Sequence, residues 1–171
     1  AQLSLRVLRH YDSSNLPLFG GRFSGHVMFT AAEAYDWLYD SFTSDEREEM
    51  ISLMEKSAHD LEMGYPPFQN DEPIPVFGHD NEAQLLRDML SVAIAVYDER
   101  PDIYDYCAGL FFDKFQPVYN AVNDCRMHID GVDYGSYRTA FIYWVALIYL
   151  SMTGEHIFTE NTENLAEWLL Y

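Results

Sequence analysis

Apolar residues return at every third or fourth position through several long stretches of this chain, and no stretch shows the clear period of two that marks a β hairpin. That pattern leaves an all-helical fold as the reading. The stretch MFTAAEAYDWLYDSF places Phe29, Ala32, Tyr35, Leu38 and Tyr39 as one face of an amphipathic helix. Thr43 and Glu46 have the spacing of a capping box that starts the next helix, which runs toward Gly64. YPPFQNDEPIPVFG carries four prolines and is read as a loop along a surface or rim.

A third helix follows Asp80 as N-cap, with Leu85, Leu86, Met89, Leu90, Ala93 and Val96 on one broad face. Pro101 opens a fourth, which Pro117 bends or ends. RMHIDGVDYGSYRT reads as a loop leading into a fifth helix, TAFIYWVALIYLSM. That helix is apolar on nearly all sides, is therefore expected to be buried between neighbours, and stops at Gly154. ENTENLAEWLLY begins a sixth, with Asn161 or Thr162 as cap. Helices paired by loops of unequal length are what an antiparallel helical toroid or solenoid shows.

A chain of 171 residues with 13 Tyr and 11 Phe can build one core and is not disordered. The longest apolar run, AFIYWVALIYL, is too short to cross a bilayer. No leader of charged then apolar residues opens the chain, so it is read as a processed or excised piece. A formal net charge of -18 repels nucleic acid and anionic membranes, and neither is expected as a partner. Cys107 and Cys125 share no metal or redox spacing and are read as buried free thiols.

Three places could carry chemistry. His79 and Glu82 stand three residues apart where a loop becomes a helix. The helix dipole disfavours the charged imidazole while a first-turn carboxylate favours it. Equally, Asp80 and Glu82 could simply cap the helix. Tyr134 lies between Gly131 and Gly135 in a segment that also supplies Arg138, whose planar fork suits a carboxylate or sulfate. GGRFSGH is read as a glycine loop before the first helix, bringing Arg22 and His26 to the same rim as substrate-binding candidates or serving as a mere connector. The histidines at 10, 59, 128 and 156 have no metal-ligand spacing, and no zinc-peptidase, nucleophile-elbow or phosphate-loop motif occurs.

AEAYDWLYDSFTSDEREE, GHDNEAQLLRDMLSVAIAVYDERPDIYDY and HIDGVDYGSYR, followed by ALIYLSMTG, resemble in order and spacing the helical domain of heparinase II/III-type polysaccharide lyases. The likeness runs from about Ala31 to Tyr171 and is most specific at G-H-x-x-E-x-x-x-x-R-D and G-x-x-Y. It implies that residues 1–171 are part of one incomplete α/α toroid of antiparallel helical hairpins, a fragment of a larger enzyme whose β-sandwich domains are absent from this chain. It further implies β-elimination on an acidic, uronate-containing, glycosaminoglycan-like polysaccharide, in a periplasmic or extracellular setting, with the isolated piece inactive.

Under that resemblance His79 is base or carboxylate partner, Glu82 shares a proton with the substrate or orients the histidine, and Tyr134 is general acid. No metal or cofactor is expected in this chain, since the family's zinc would lie in the sandwich. Two other functions remain open: a non-catalytic helical module binding carbohydrate or protein, and a glycoside hydrolase on an α/α toroid.

Overall fold

The computed structural model describes residues 2–13, 20–59, 61, 76, 81–125, 128, 131–158 and 167, with the backbone alone at 12, 13 and 20–22. Every element among them is helical, and none is a strand. The protein is all-α. It divides into two compact units, Ala1–Cys107 and Ala108–Tyr171.

In the first unit, α1 (Gln2–Ser13) and α2 (Gly20–Trp37) precede a single 3-10 turn at Tyr39–Ser41 and then α3 (Ser44–Ala58). A helical turn α4 (Asn81–Ala83) continues through a π-helical stretch, Gln84–Met89, into α5 (Leu90–Ala95), and α6 (Pro101–Leu110) follows. Helix α2 is the hub of this unit, packing on α3, on the π stretch and on α5, while α1 lies on α3. Leu5, Met28, Tyr35, Met50, Met54, Leu85 and Leu86 are fully buried there.

Ion pairs of Arg9 and Arg100 staple the first unit. Arg9 on α1 grips both carboxylate oxygens of Glu49 on α3, at 2.6 Å each. Arg100 is held by Asp102 at 2.9 and 2.8 Å and by Glu55 of α3. At the end of α2, Tyr39 donates its hydroxyl to Glu99 at 2.8 Å, and Arg47 lies 4.5 Å above the Tyr39 ring. The carboxylate bond raises the Tyr39 phenol above its usual range, and burial, with Glu99 adding to it, does the same to Tyr35.

The helix spacing in the sequence identifies α3 and the 81–95 helix well. Leu85, Leu86, Met89, Leu90, Ala93 and Val96 are all buried, as their period requires. Thr43 accepts from the Glu46 amide at 3.3 Å and Glu46 accepts from the Thr43 amide at 2.9 Å, which completes the capping box. Thr43→Ala should cost about 1 kcal/mol in a denaturant titration. The reciprocal bond holds the Glu46 carboxyl below its ordinary 4.5, so its contribution is present above that pH and lost as pH falls through the lowered value. Thr43→Ala keeps the backbone bond that lowers Glu46 most and loses only the hydroxyl bond to Oε2, 3.2 Å, so the difference between variant and parent should narrow only slightly in acid.

Two expectations at the N-terminal side fail. Helix α2 begins at Gly20, so GGRFSGH is helix and not a loop, and α1 is a helix to which the sequence reading assigned nothing. Packing overrides the low helix propensity of glycine. Gly25 is buried against the π stretch, where a side chain would have no room.

In the second unit a π-helical stretch, Phe111–Phe115, runs without a break into α7 (Gln116–Asp124), so Pro117 does not end the helix but lies inside it, just after the wider π turns. Helix α8 spans Gly131–Thr153. Gly131 and Gly154 bracket it with φ of 74° and 75°, a left-handed conformation that favours glycine. Phe111, Phe115 and Tyr119 form the aromatic core, and the chain after α8 folds back onto them through Phe158. Gln116 Nε2 donates to the Ile157 carbonyl at 2.5 Å, fixing that return.

Helix α8 corrects two expectations. It starts at Gly131, so Tyr134 and Arg138 sit on helix and not in a loop. Nor is it buried all round: Gly135, Arg138, Thr139, Ile142 and Val145 face inward, whereas Tyr137, Trp144 and Leu147 are exposed.

The cysteines divide in the same way. Cys107 is buried and its thiol is pushed up to about 12 by desolvation, while Cys125 is exposed, contrary to the expectation that both are buried. A thiol reagent at pH 8 should therefore modify Cys125 in the native protein and reach Cys107 only on unfolding, which mass spectrometry of the labelled peptides would show.

Candidate functional site

The site candidates distribute over both units. Tyr134 occupies the first turn of α8, 57 % exposed, so its hydroxyl is open to a substrate. One turn further on, Arg138 is buried, at 8 % exposure, yet its guanidinium carbon lies 5.7 Å from the centre of the Tyr134 ring. An i, i+4 relation on a helix brings the two side chains over one another, and a cation above a phenol ring is attracted by its negative face. A phenol and a cation on one helix edge are thus brought together within the second unit.

Glu82 belongs to the first unit, where it lies in α4 and is 1 % exposed. It is part of a row of buried polar groups that includes Asn81, Gln84 and Asp88. His79 and Asp80 lie outside the described residues, so the spacing of His79 from Glu82 has no geometry attached to it. A carboxylate this deep suits orienting a neighbouring group better than meeting a polymer directly, because a buried charge is retained only where polar groups satisfy it.

His26 is exposed on α2 and lines a groove of about 420 Å³ between α1 and α2, with Leu3, Val7, Tyr11, Phe23 and Val27 among its walls. The Tyr11 and Phe23 rings stack there, 6.0 Å between centres. Arg22 lies on the same helix, and its side chain is outside the described atoms. Among the described residues no group of three or more His, Cys, Asp or Glu is placed to hold a metal ion, and no helix is long and apolar enough to cross a membrane.

No known protein family and no curated protein matches this chain.

Asp88 and Gly25 enter the sequence reading only as members of motifs, G-H-x-x-E-x-x-x-x-R-D and GGRFSGH, with no role of their own. Asp88 is fully buried and salt-bridged to Arg87, with Nε to Oδ1 at 2.5 Å and Nη2 to Oδ2 at 3.1 Å. Neighbouring residues on an α-helix do not face each other, and it is the wider π winding, which no spacing rule announces, that accompanies their pairing here.

Proposed function

We propose that this chain is the helical part of a polysaccharide lyase that cleaves a uronate-containing polymer by β-elimination. The toroid would continue in helices and β-sandwich domains outside these residues. The reading rests on the ordered motifs that resemble the heparinase II/III lyases. The single structural observation that carries it is the exposed Tyr134 side chain, whose ring lies beside the Arg138 guanidinium at the start of α8.

β-Elimination at a hexuronate needs the carboxylate neutralised so that the C5 proton becomes acidic, that proton removed, and the leaving oxygen protonated. Tyr134 would supply the proton to the leaving oxygen. Arg138 would favour the negative charge that develops nearby. His79 would take the C5 proton or meet the carboxylate, according to the epimer, and Glu82 would orient it. His26 and Arg22 would contact the polymer further along. A polysaccharide substrate places the enzyme in the periplasm or outside the cell.

A second reading, a non-catalytic module that binds carbohydrate or protein, is favoured by the exposed Tyr137 and Trp144, seven residues apart on one face of α8. Aromatic faces of this kind stack on sugar rings or anchor interfaces. Product analysis on a panel of uronate polymers separates the readings. Elimination gives an unsaturated uronate with new ultraviolet absorbance, hydrolysis gives saturated ends, and a binding module gives no cleavage. Saturated products, or none with any polymer from the full-length protein, would overturn the lyase.

A further inference from the structure

We infer that Asp88 is a positioning residue: seated against the bare backbone of α2 at Gly25, its carboxylate sets the π winding of Gln84–Met89 and so the direction in which Glu82 points. The link to Glu82's role rests on the lyase reading; the lock itself does not. A Cβ built on Gly25 would overlap Asp88 Oδ2 and stand 2.8 Å from its Cγ. The carboxylate therefore occupies the space that any other residue at 25 would fill.

It is not free to yield. Aspartate is short, this one is fully buried, and the Arg87 guanidinium grips both its oxygens. The same π stretch packs directly on α2.

The winding matters because of what precedes it. A π turn closes i to i+5 and holds one residue more than an α turn. Were Gln84–Met89 to relax to α winding with α5 held in place, α4 would turn by one residue, about 100° about the helix axis. Glu82, now 1 % exposed, would leave its buried row with Asn81 and Gln84. The contact between Asp88 and Gly25 opposes that rotation, since it fixes the C-terminal end of the π stretch to the hub helix. Arg87, five residues after Glu82, is carried by the π winding toward the same side of the helix, whereas α winding would turn the two apart.

The test is a double-mutant cycle with Gly25→Ala, Asp88→Ala and the pair together, read by amide hydrogen exchange over 81–95 and by melting temperature. Each single change should raise exchange of the 81–89 amides at least tenfold and lower the melting temperature by several degrees. The double variant should be no worse than Asp88→Ala alone, because the new methyl then fills vacated space. Effects that add, or a Gly25→Ala protein with unchanged exchange and melting, would overturn the lock. If Gly25→Ala does not fold, Asp88→Ala in that background should rescue it, and failure to rescue also counts against the proposal.

Activity supplies a readout that a purely structural contact would not move. Gly25→Ala, assayed below its melting temperature, should lose at least tenfold in kcat with KM changed less than threefold, and its kcat-pH profile should shift. An unchanged kcat with the exchange effect present would leave the lock intact and remove its role in positioning. If the parent protein shows no elimination at all, the lyase reading fails while the exchange and melting cycle still decides the lock.

Discussion

Replacing Tyr134 by Phe should reduce uronate elimination to background, a loss of about 10² to 10⁴ in kcat for removing a general acid. The change deletes one oxygen from a side chain that is 57 % exposed in the first turn of α8, and leaves the ring over which Arg138 lies. Stability should stay within about 0.5 kcal/mol of the parent, as for surface substitutions that break no cap or buried bond. The two measurements together are decisive. A folded Tyr134→Phe protein that still raises ultraviolet absorbance at the parental rate would remove Tyr134 from the chemistry. If activity is lost, polymer binding retained in the same variant separates a catalytic role from a binding one, since a phenol needed only for contact would lose affinity as well.

That substitution also discriminates between the two leading functions. A binding module uses Tyr134 as a surface, and Phe keeps nearly all of that surface. An elimination catalyst uses the hydroxyl proton, and Phe has none. The position of Tyr134 on a helix, where a loop was expected, sharpens the argument: its backbone is fixed by α8, so a loss of rate cannot be assigned to a loop that changes shape. Catalytic groups on regular elements are held more closely than those on loops.

How far this was legible in the sequence depends on whether a feature is local. The Thr43–Glu46 capping box and the buried face from Leu85 to Val96 follow from spacing alone, because cap and stripe involve residues within one or two turns. The stop at Gly154 follows equally, since only a left-handed φ was needed there, whereas α3 ends at Ala58, well before Gly64, which lies outside the described residues. GGRFSGH was read as a loop because three glycines weaken a helix locally, and what overrides them is distant in sequence: Asp88 lies against Gly25 across 63 positions.

The π windings at 84–89 and 111–115 leave no periodic signal, because the buried apolar residues, Leu85, Leu86 and Met89 in one and Phe111 and Phe115 in the other, stand at spacings that an α-helix would also bury. The exposed flank of α8 escaped for the opposite reason. Tyr, Trp and Leu around a whole helix look like a buried rod, and composition cannot say that Trp144 and Leu147 face solvent. For the candidate site, the sequence picked out Tyr134 and Arg138 as companions, and they do meet. It placed Glu82 at a helix start, as found, but not its depth.

Phe115→Ala should be the most destabilising single change in the second unit. Its ring is fully buried, meets Tyr119 edge-on at 6.0 Å, and Tyr119 in turn meets Phe158 at 6.1 Å. Deleting it leaves a cavity that these rings cannot all close, at a cost of about 3–5 kcal/mol. For a chain of this size that lowers the melting temperature by roughly 10 °C. Phe112, 40 % exposed and edge-on to Phe111 at 5.2 Å, is the control, and its removal should cost about 1 kcal/mol. Thermal denaturation of both variants checks the pair. Equal losses would mean that the ring cluster is not the core of this unit. The consequence for function is specific, because Phe115 lies on the π stretch Phe111–Phe115 and the proposed catalytic groups Tyr134 and Arg138 lie on α8. Assayed well below its melting temperature, Phe115→Ala should keep kcat within about twofold of the parent, while Tyr134→Phe loses its rate at full stability. That opposite pair of outcomes, stability lost without rate and rate lost without stability, is what a site built on one helix and a core built on another must give.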